Sequence, residues 1–260
     1  MPLRVLVTGA SRGIGRAICL RLARQGARIA ACASAHPDEL ATLAHEVDVN
    51  GGRLLPLCGD LADPETPARL VHEATDALGG LDAVVSNAGV SRPSPLVDLN
   101  LADWDYLLAV NARAPWLLAK AAFAALRASR GSFVSVASMS GVQPYPGMGA
   151  YSPSKAAVLM LTRVLAQEWA ASGVRVNAVS PGLIHTSLTA RVYADAPTKA
   201  AREALVPLHR IGAAEADIAG VVAFLIGPDA GYITGQNIVA DGGLLDATQG
   251  LIPGRPATDK

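Results

Sequence analysis

Leu3-Arg4-Val5-Leu6-Val7-Thr8-Gly9-Ala10-Ser11-Arg12-Gly13-Ile14-Gly15 lies near the start of the chain and decides its fold class. Leu3–Val7 is a short apolar run broken only by Arg4, which reads as a strand. A glycine-rich turn follows, and then Ile14–Gln25, with Ile18, Leu22 and Ala23 apolar at helical spacing. Glycines permit a tight turn and let a pyrophosphate approach the main chain closely. The following helix N-terminus offers unpaired N–H groups and a positive dipole end to an anion. A plain strand-to-helix turn is the competing reading. The strand–turn–helix context beginning at residue 8 favours dinucleotide binding. The spacing is G-x-x-x-G-x-G rather than the commoner G-x-G-x-x-G, and the difference is informative.

Outward from this turn, short β-rich runs alternate with longer helical ones. Strand-like runs are Ala27–Ala33, Leu54–Leu57, Ala83–Ser86, Ser132–Ala137, Arg175–Val179 and Asn237–Ala240. Helical stretches are Asp38–Val49, Thr66–Leu78, Trp104–Arg127, Tyr151–Ser172 and Asp217–Leu225. With Leu3–Val7 this makes seven strands separated by helices. The pattern predicts right-handed βαβ units in an α/β fold: a doubly wound, seven-stranded parallel sheet with helices on both faces. Strands buried on both sides read as continuous Val/Ile/Leu/Ala runs, as these do. No low-complexity linker divides the chain, so a single domain over residues 1–243 is expected, with a tail at 244–260. Two segments lack clear periodicity, roughly His185–Pro207 and Leu244–Lys260.

Composition excludes several function classes. The chain has 260 residues, with 22 Lys+Arg against 22 Asp+Glu. It has no positive excess for a phosphate backbone, which argues against nucleic acid as a partner. Half the chain is apolar (51%), so disorder is not expected. A membrane-spanning helix needs roughly 20 apolar residues in a row. Lys120 interrupts Trp116–Leu126, Arg163 interrupts Ala156–Ala171, and Val221–Ile226 is too short. The N-terminal segment does not read as a signal peptide. The three cysteines (Cys19, Cys32, Cys58) form no CxxC pair and read as reduced, buried small hydrophobes of a cytoplasmic protein. The five histidines show no HxxxH or HExxH spacing, so no metal is expected. Aromatics are scarce at 4%, which fits helices packed close to a sheet on small residues.

Further motifs occur in a fixed order: Thr8-Gly9-x-x-x-Gly13-Ile14-Gly15, Asp60-Leu61, Asn87-Ala88-Gly89, Asn111, Ser138, Tyr151-x-x-x-Lys155 and Pro181-Gly182-x-x-x-Thr186. One Tyr-x-x-x-Lys alone means little, because Tyr and Lys four apart are common on helices. The ordered set is specific, and it resembles the short-chain dehydrogenase/reductase family over residues 3 to 243. The resemblance implies a Rossmann-like fold and nicotinamide-dependent oxidation of alcohols or reduction of carbonyls. Within the family the chain is most similar to 3-oxoacyl-(acyl-carrier-protein) reductases. The Ser11-Arg12 pair, the acid-free second strand and Pro181-Gly182-Leu183-Ile184 support that placement.

Residue roles follow in part from chemistry. Tyr151 and Lys155 are at i and i+4, on one helix face. An unperturbed Tyr has a pKa of about 10, and a nearby ammonium is expected to lower it into range for general acid–base work. Tyr151 is thus the expected proton donor in reduction and acceptor in oxidation. By resemblance, Ser138 holds the substrate oxygen beside Tyr151, with Ser135 and Ser140 as rivals. Lys155 also binds the nicotinamide ribose, and Asn111 makes a helix bend holding a proton-relay water.

Cofactor choice is read at the end of the second strand, where an acid would bond the 2′-hydroxyl of NAD. The resemblance puts that position at Ala33, and no acid follows until Asp38. Arg12 and Ser34, with His36 a weaker candidate, suit a 2′-phosphate, so NADP(H) is expected over NAD(H). A solvated Arg12 and a pocket taking either cofactor is the competing reading. By resemblance the cofactor-binding set is Gly9, Ser11, Arg12, Gly13, Ile14, Gly15, Ser34, Asp60, Leu61, Asn87, Ala88, Gly89, Tyr151, Lys155, Pro181, Gly182, Ile184 and Thr186. Thr8 is expected to brace the turn rather than touch the ligand.

The substrate is much less legible. The expected ring includes Val90, Ser91, Arg92, Gln143, Tyr145, His185, Leu188 and Tyr193, with residues 185–207 as a mobile lid. A ketoreductase acting on a 3-oxoacyl thioester or related ketone is the leading reading. A sugar or secondary-alcohol dehydrogenase is the alternative. A non-enzymatic NADP-binding regulator is disfavoured, because such relatives lose the Tyr or the Lys. Partners are a small-molecule carbonyl or alcohol, or an acyl-carrier-linked one, for which Arg127 and Arg130 are candidate basic rim residues. By resemblance the outer faces of the two long helices pair in a homotetramer. Leu251-Ile252-Pro253 in the tail is apolar enough to pack on a neighbouring subunit.

Overall fold

The quoted stretch folds as strand β1 (Arg4–Thr8), a turn, and helix α1 (Gly13–Ala23). The computed structural model describes residues 2–35, 37–187 and 189–247. His36, Leu188 and Leu251-Ile252-Pro253 lie outside the described residues. The remaining strands of the main sheet are β2 (Arg28–Ala33), β3 (Arg53–Cys58), β4 (Ala83–Ser86), β5 (Ser132–Val136), β6 (Arg175–Pro181) and, last in the chain, β9 (Asn237–Ala240). Their order is β3-β2-β1-β4-β5-β6-β9, and every pairing is parallel. The order reverses between β1 and β4, which is where open α/β sheets bind ligands at the strands' carboxyl ends.

Alternation within β1 shows how the two faces are covered. Val5 and Val7 join one apolar cluster with Ile18, Leu22, Leu40 and Leu43, which come from α1 and α2 (Pro37–Val49). Leu6 joins the other cluster, with Leu70, Leu118, Leu126 and Trp169. Those come from α3 (Thr66–Leu78), α5 (Ala114–Ser129) and α6 (Tyr151–Trp169). Burying a strand on both faces stabilises the sheet with side chains that cannot reach solvent in either direction. Among the described residues no helix is long and apolar enough to cross a membrane.

The end of the sheet away from the switch point carries arginines. Arg28 donates to the Leu78 and Ala77 carbonyls at 3.0 and 3.2 Å. Arg175 donates to those of Leu225 and Gly227 at 2.6 and 3.0 Å. These cations satisfy carbonyls at helix C-termini, where the helix dipole is negative. Arg130 lines a recess at this same end with Arg4, Arg28 and Arg175. It therefore offers no basic rim to a site at the opposite end.

Several sequence expectations are corrected in detail. The stretch 104–127 is not one helix: α4 (Leu101–Leu108) runs into a π-turn at Ala109–Arg113 before α5. A second π-turn, Ala214–Ala219, precedes α9 (Gly220–Ile226). Periodicity alone does not reveal one extra residue in a helical turn. The aperiodic segment contains β7 (Ile184–His185), α7 (Ala190–Tyr193) and α8 (Ala196–Leu205), and β7 pairs in parallel with β8 (Gly212–Ala213). Cys19 and Cys32 are buried, and burial pushes both thiols up to about 12, but Cys58 is exposed. Ending the edge strand β3, Cys58 has a neighbour on one side only.

Candidate active site

Two groups of side chains meet at the carboxyl ends of the strands flanking the switch point. The first is built on the glycine turn. Gly9 has φ +63°, and a Cβ there would lie 2.8 Å from the Ala88 Cα. A Cβ on Gly15 would collide with the Gly9 carbonyl. Both positions therefore require glycine for close approach as well as for conformation. Gly13 has φ +57° and faces Thr186, whose Cβ is 3.6 Å from where a Gly13 Cβ would be. Thr8 braces the turn: its hydroxyl accepts from the Asn87 and Ala88 amides, each at 3.1 Å. Asn87 reaches back, donating its side-chain amide to the Thr8 and Gly9 carbonyls at 2.9 and 3.0 Å. Its side chain thus holds the turn.

A cleft opens beside this turn. Its lining includes Gly9, Ser11, Arg12, Ala33, Ser34, Asp60, Leu61, Ala88 and Gly89, drawn from four separate strand ends. Tyr106 and Val110 also line it, from α4 and the first π-turn. Sequence reasoning missed these two, since nothing in a helical pattern marks which side chain faces a distant turn. Arg12 is exposed, and no acid replaces it at Ala33, which is buried. Asp60 accepts from the Ala62 amide at 2.9 Å, which fixes its carboxylate at the mouth.

The second group surrounds the start of α6. Ser138 follows β5 in extended conformation, and its hydroxyl accepts from the Ser140 amide at 3.1 Å, capping a short 3-10 turn (Met139–Gly141). The hydroxyl of Tyr151, the first residue of α6, comes close enough to that of Ser138 for the serine to bear on its ionisation. Lys155 lies one turn further on, and its ammonium donates to the Val136 carbonyl at 2.9 Å. Gly141 allows this packing, because a Cβ there would sit 2.8 Å from the Lys155 carbonyl. Ser135 lies buried within β5, and Ser140 is buried in the 3-10 turn.

The electrostatics differ from the expectation. Burial raises the Tyr151 pKa, the Ser138 hydroxyl works in the opposite sense, and the net direction is upward. The Lys155 ammonium sits over the Tyr151 ring, 5.8 Å from its centroid. Lys155 is itself pushed down to about 8 by burial. Desolvation disfavours the charged form of each group, so it raises the phenol and lowers the ammonium.

Asn111 is buried inside the first π-turn. Its oxygen accepts from the Val90 amide at 2.8 Å, and its nitrogen donates to the Val90 carbonyl at 2.9 Å and the Ser154 hydroxyl at 3.1 Å. It thus ties the loop following β4 to α6. Gly89 lies between: a Cβ there would be 3.3 Å from the Lys155 nitrogen and 3.5 Å from the Asn111 oxygen. π-turns concentrate at functional sites.

At the end of β6, Gly182 passes against Asp241, with 2.5 Å between its would-be Cβ and the Asp241 Cα. Pro181 ends β6 and is buried. Ile184 is buried in the core. Thr189 holds the Ile184–Thr186 bend: its hydroxyl accepts from the Thr186 amide at 2.9 Å and donates to the Ile184 carbonyl at 2.8 Å. Sequence reasoning passed over Thr189, although a Thr three residues after another in an aperiodic stretch is a turn signal. Among the described residues no cluster of His, Cys, Asp and Glu is suited to a metal ion.

Comparison with known proteins matches residues 9–245 to a family described as enoyl-(acyl carrier protein) reductase. The chain is 37% identical to a glucose 1-dehydrogenase of Gluconobacter oxydans over 93% of its length and 91% of that protein's. It is 34% identical to a 3-oxoacyl-[acyl-carrier-protein] reductase of Synechocystis, covering 92% of the chain and 96% of the relative. A crystal structure of a putative 2-deoxy-d-gluconate 3-dehydrogenase from Agrobacterium tumefaciens with bound NADP superposes with a TM-score of 0.85 at 36% identity, over 94% of this chain and 96% of that one. The seven-stranded parallel sheet, the glycine turn at its switch point and these full-length likenesses together place the chain in the short-chain dehydrogenase/reductase family of oxidoreductases, enzymes acting on CH–OH groups.

Proposed function

We propose that the chain moves a hydride between NADP(H) and a carbonyl or secondary alcohol, acting as a ketoreductase on a 3-oxoacyl thioester or related ketone. The observation that carries the reading is the Ser138–Tyr151 hydroxyl pair one helical turn from a buried Lys155, beside the glycine-turn cleft. NADP(H), when bound, supplies the hydride. Ser138 and Tyr151 hold the substrate oxygen between two hydroxyls, and Tyr151 delivers the proton in reduction. The raised Tyr151 pKa keeps the phenol protonated and fit to donate. The buried Lys155 is a cation for ribose hydroxyls, oriented by its bond to the Val136 carbonyl. Asn111, fixed by three hydrogen bonds, keeps α6 in register with the loop at Val90 and places the bend for a relay water.

For the cofactor, Arg12 and Ser34 line the cleft with no acid between them, which favours a 2′-phosphate. The NADP held by the Agrobacterium relative supports the same choice. Residues 185–207 act as the lid. The exposed Trp116, Met160 and Val164 on α5 and α6 support pairing into a homotetramer. The second reading, a sugar dehydrogenase, is favoured by the glucose 1-dehydrogenase likeness.

The test is turnover with NADPH and NADH over an acetoacetyl thioester, a β-keto ester, a sugar and a bulky ketone. NADPH-dependent reduction of a ketone is expected. Preference for NADH sinks the cofactor assignment, preference for the sugar selects the second reading, and tight NADPH binding without any turnover marks a non-enzymatic binder.

A further inference from the structure

Segment 185–207 holds a cluster that the proposed hydride transfer does not use. Tyr193, the last residue of α7, is 7% exposed, and its phenol oxygen is buried without a hydrogen-bond partner among the described residues. A buried hydroxyl left unmade costs stability that a phenylalanine would not. The Tyr193 ring stacks on His185, with centroids 5.7 Å apart and planes at 26°. The Arg202 guanidinium lies 5.7 Å from the same ring's centroid.

Arg202 is half-buried, and among the described residues no carboxylate stands within ion-pair distance of it. The nearby acids are taken. Glu203 pairs with Lys199 at 3.7 Å, Asp195 accepts from the Thr198 amide at 2.9 Å, and Asp217 is held by Arg210 at 2.6 Å. An unpaired guanidinium and an unpaired phenol thus share one ring, with no acceptor for either among the described residues. A guanidinium offers five N–H donors in a planar fork that matches a carboxylate, and it has no acceptor of its own. The cluster adjoins the phosphate turn through one bend of chain: His185 lies between Ile184 and Thr186, and Thr186 faces Gly13.

We infer that the substrate carries a carboxylate in addition to its carbonyl, and that the Tyr193 hydroxyl and Arg202 guanidinium recognise it. The inference rests on the hydride-transfer reading of the site. A neutral ketone leaves both groups as they stand, so it gains nothing from them. His185 sets the tilt of the Tyr193 ring and is a positioning residue. Because the phenol oxygen is buried, α7 shifts against β7 as the carboxylate enters, exchanging an unmade hydrogen bond for a charge-assisted one.

The experiment uses the full chain with NADPH and a series of keto acids of increasing length, each beside its own methyl ester. Acid and ester differ in charge and little in size. Wild type is expected to favour at least one acid over its ester by about tenfold or more in kcat/KM, the scale of a charge-assisted hydrogen bond. Tyr193→Phe and Arg202→Met are expected to erase that preference through KM, lowering kcat/KM for the acid about tenfold more than for its ester, with thermal stability undiminished. Absence of any acid preference in wild type overturns the inference. So does an equal loss on acid and ester in the variants, which marks a packing role for the ring. If wild type reduces neither acids nor esters, calorimetric binding of the same acids to the NADP+-loaded protein decides. Binding that Arg202→Met weakens about tenfold supports the carboxylate site while the hydride-transfer reading fails, and absence of wild-type binding overturns the site.

Discussion

Lys155 is costly to keep buried. Burial pushes its pKa down to about 8 from an ordinary 10.5, which corresponds to at most about 3 kcal/mol against the charged folded form. A folded-state pKa below the unfolded one means that the penalty applies in full below pH 8 and fades between pH 8 and 10.5. Lys155→Met is therefore expected to withstand more urea than wild type at pH 7, with the gap narrowing as pH rises from about 8 toward 9.5. A constant gap across that range contradicts the assignment. Stability and activity oppose each other at this position, as is usual for a buried functional charge. Tyr151→Phe separates chemistry from binding. The loss of kcat is expected to be about a hundredfold to ten-thousandfold, far larger than any loss of NADPH affinity read by fluorescence titration. Arg12→Ala, which removes the cleft's exposed cation, is expected to cut the NADPH-over-NADH preference in kcat/KM by about tenfold or more, with little change for NADH.

At the scale of elements, the turn and the sheet were legible and the irregular pieces were not. Apolar runs such as Val5–Val7 and Ala83–Val85 name buried strands because both faces are covered. The glycines of the turn announce themselves because two backbones approach where no Cβ fits. Gly15→Ala is accordingly expected to weaken NADPH binding by about tenfold or more and to lower the melting temperature, since its Cβ meets backbone rather than a movable side chain. Gly26→Ala, at φ +74° in open space, serves as the control: strain alone, about 1 kcal/mol, and intact cofactor binding. The π-turn at Asn111 was illegible as geometry, because hydrophobic spacing tolerates one extra residue. The Tyr151–Lys155 pair was legible as a pair, but its electrostatics depended on burial, which spacing does not report. Asn111→Ala leaves the Val90 amide and carbonyl without partners and is expected to cost about 2 kcal/mol or more by urea unfolding.

For the molecule as a whole, the apolar excess exceeds what one core consumes. Trp116, Met160 and Val164 on α5 and α6 remain near half exposed, and Phe224 on α9 and Val239 on β9 form a second apolar set. Light scattering is expected to give four times the monomer mass, and Trp116→Glu to reduce it to two, because a two-fold contact places each altered side chain near its own copy. The small β7–β8 ladder has a further consequence. Ile184 pairs with Gly212 and His185 with Ala213, so the intervening stretch leaves the body and returns to it at adjacent points. Asp217 fastens the returning end, accepting from the Ala213 amide at 2.7 Å and from Arg210, whose guanidinium holds the carboxyl down at about 2. A loop whose two ends are clamped side by side is an exchangeable cassette. Descendants of this chain can replace residues 190–205 wholesale, trading one substrate for another, while the sheet and its cofactor turn are inherited unchanged.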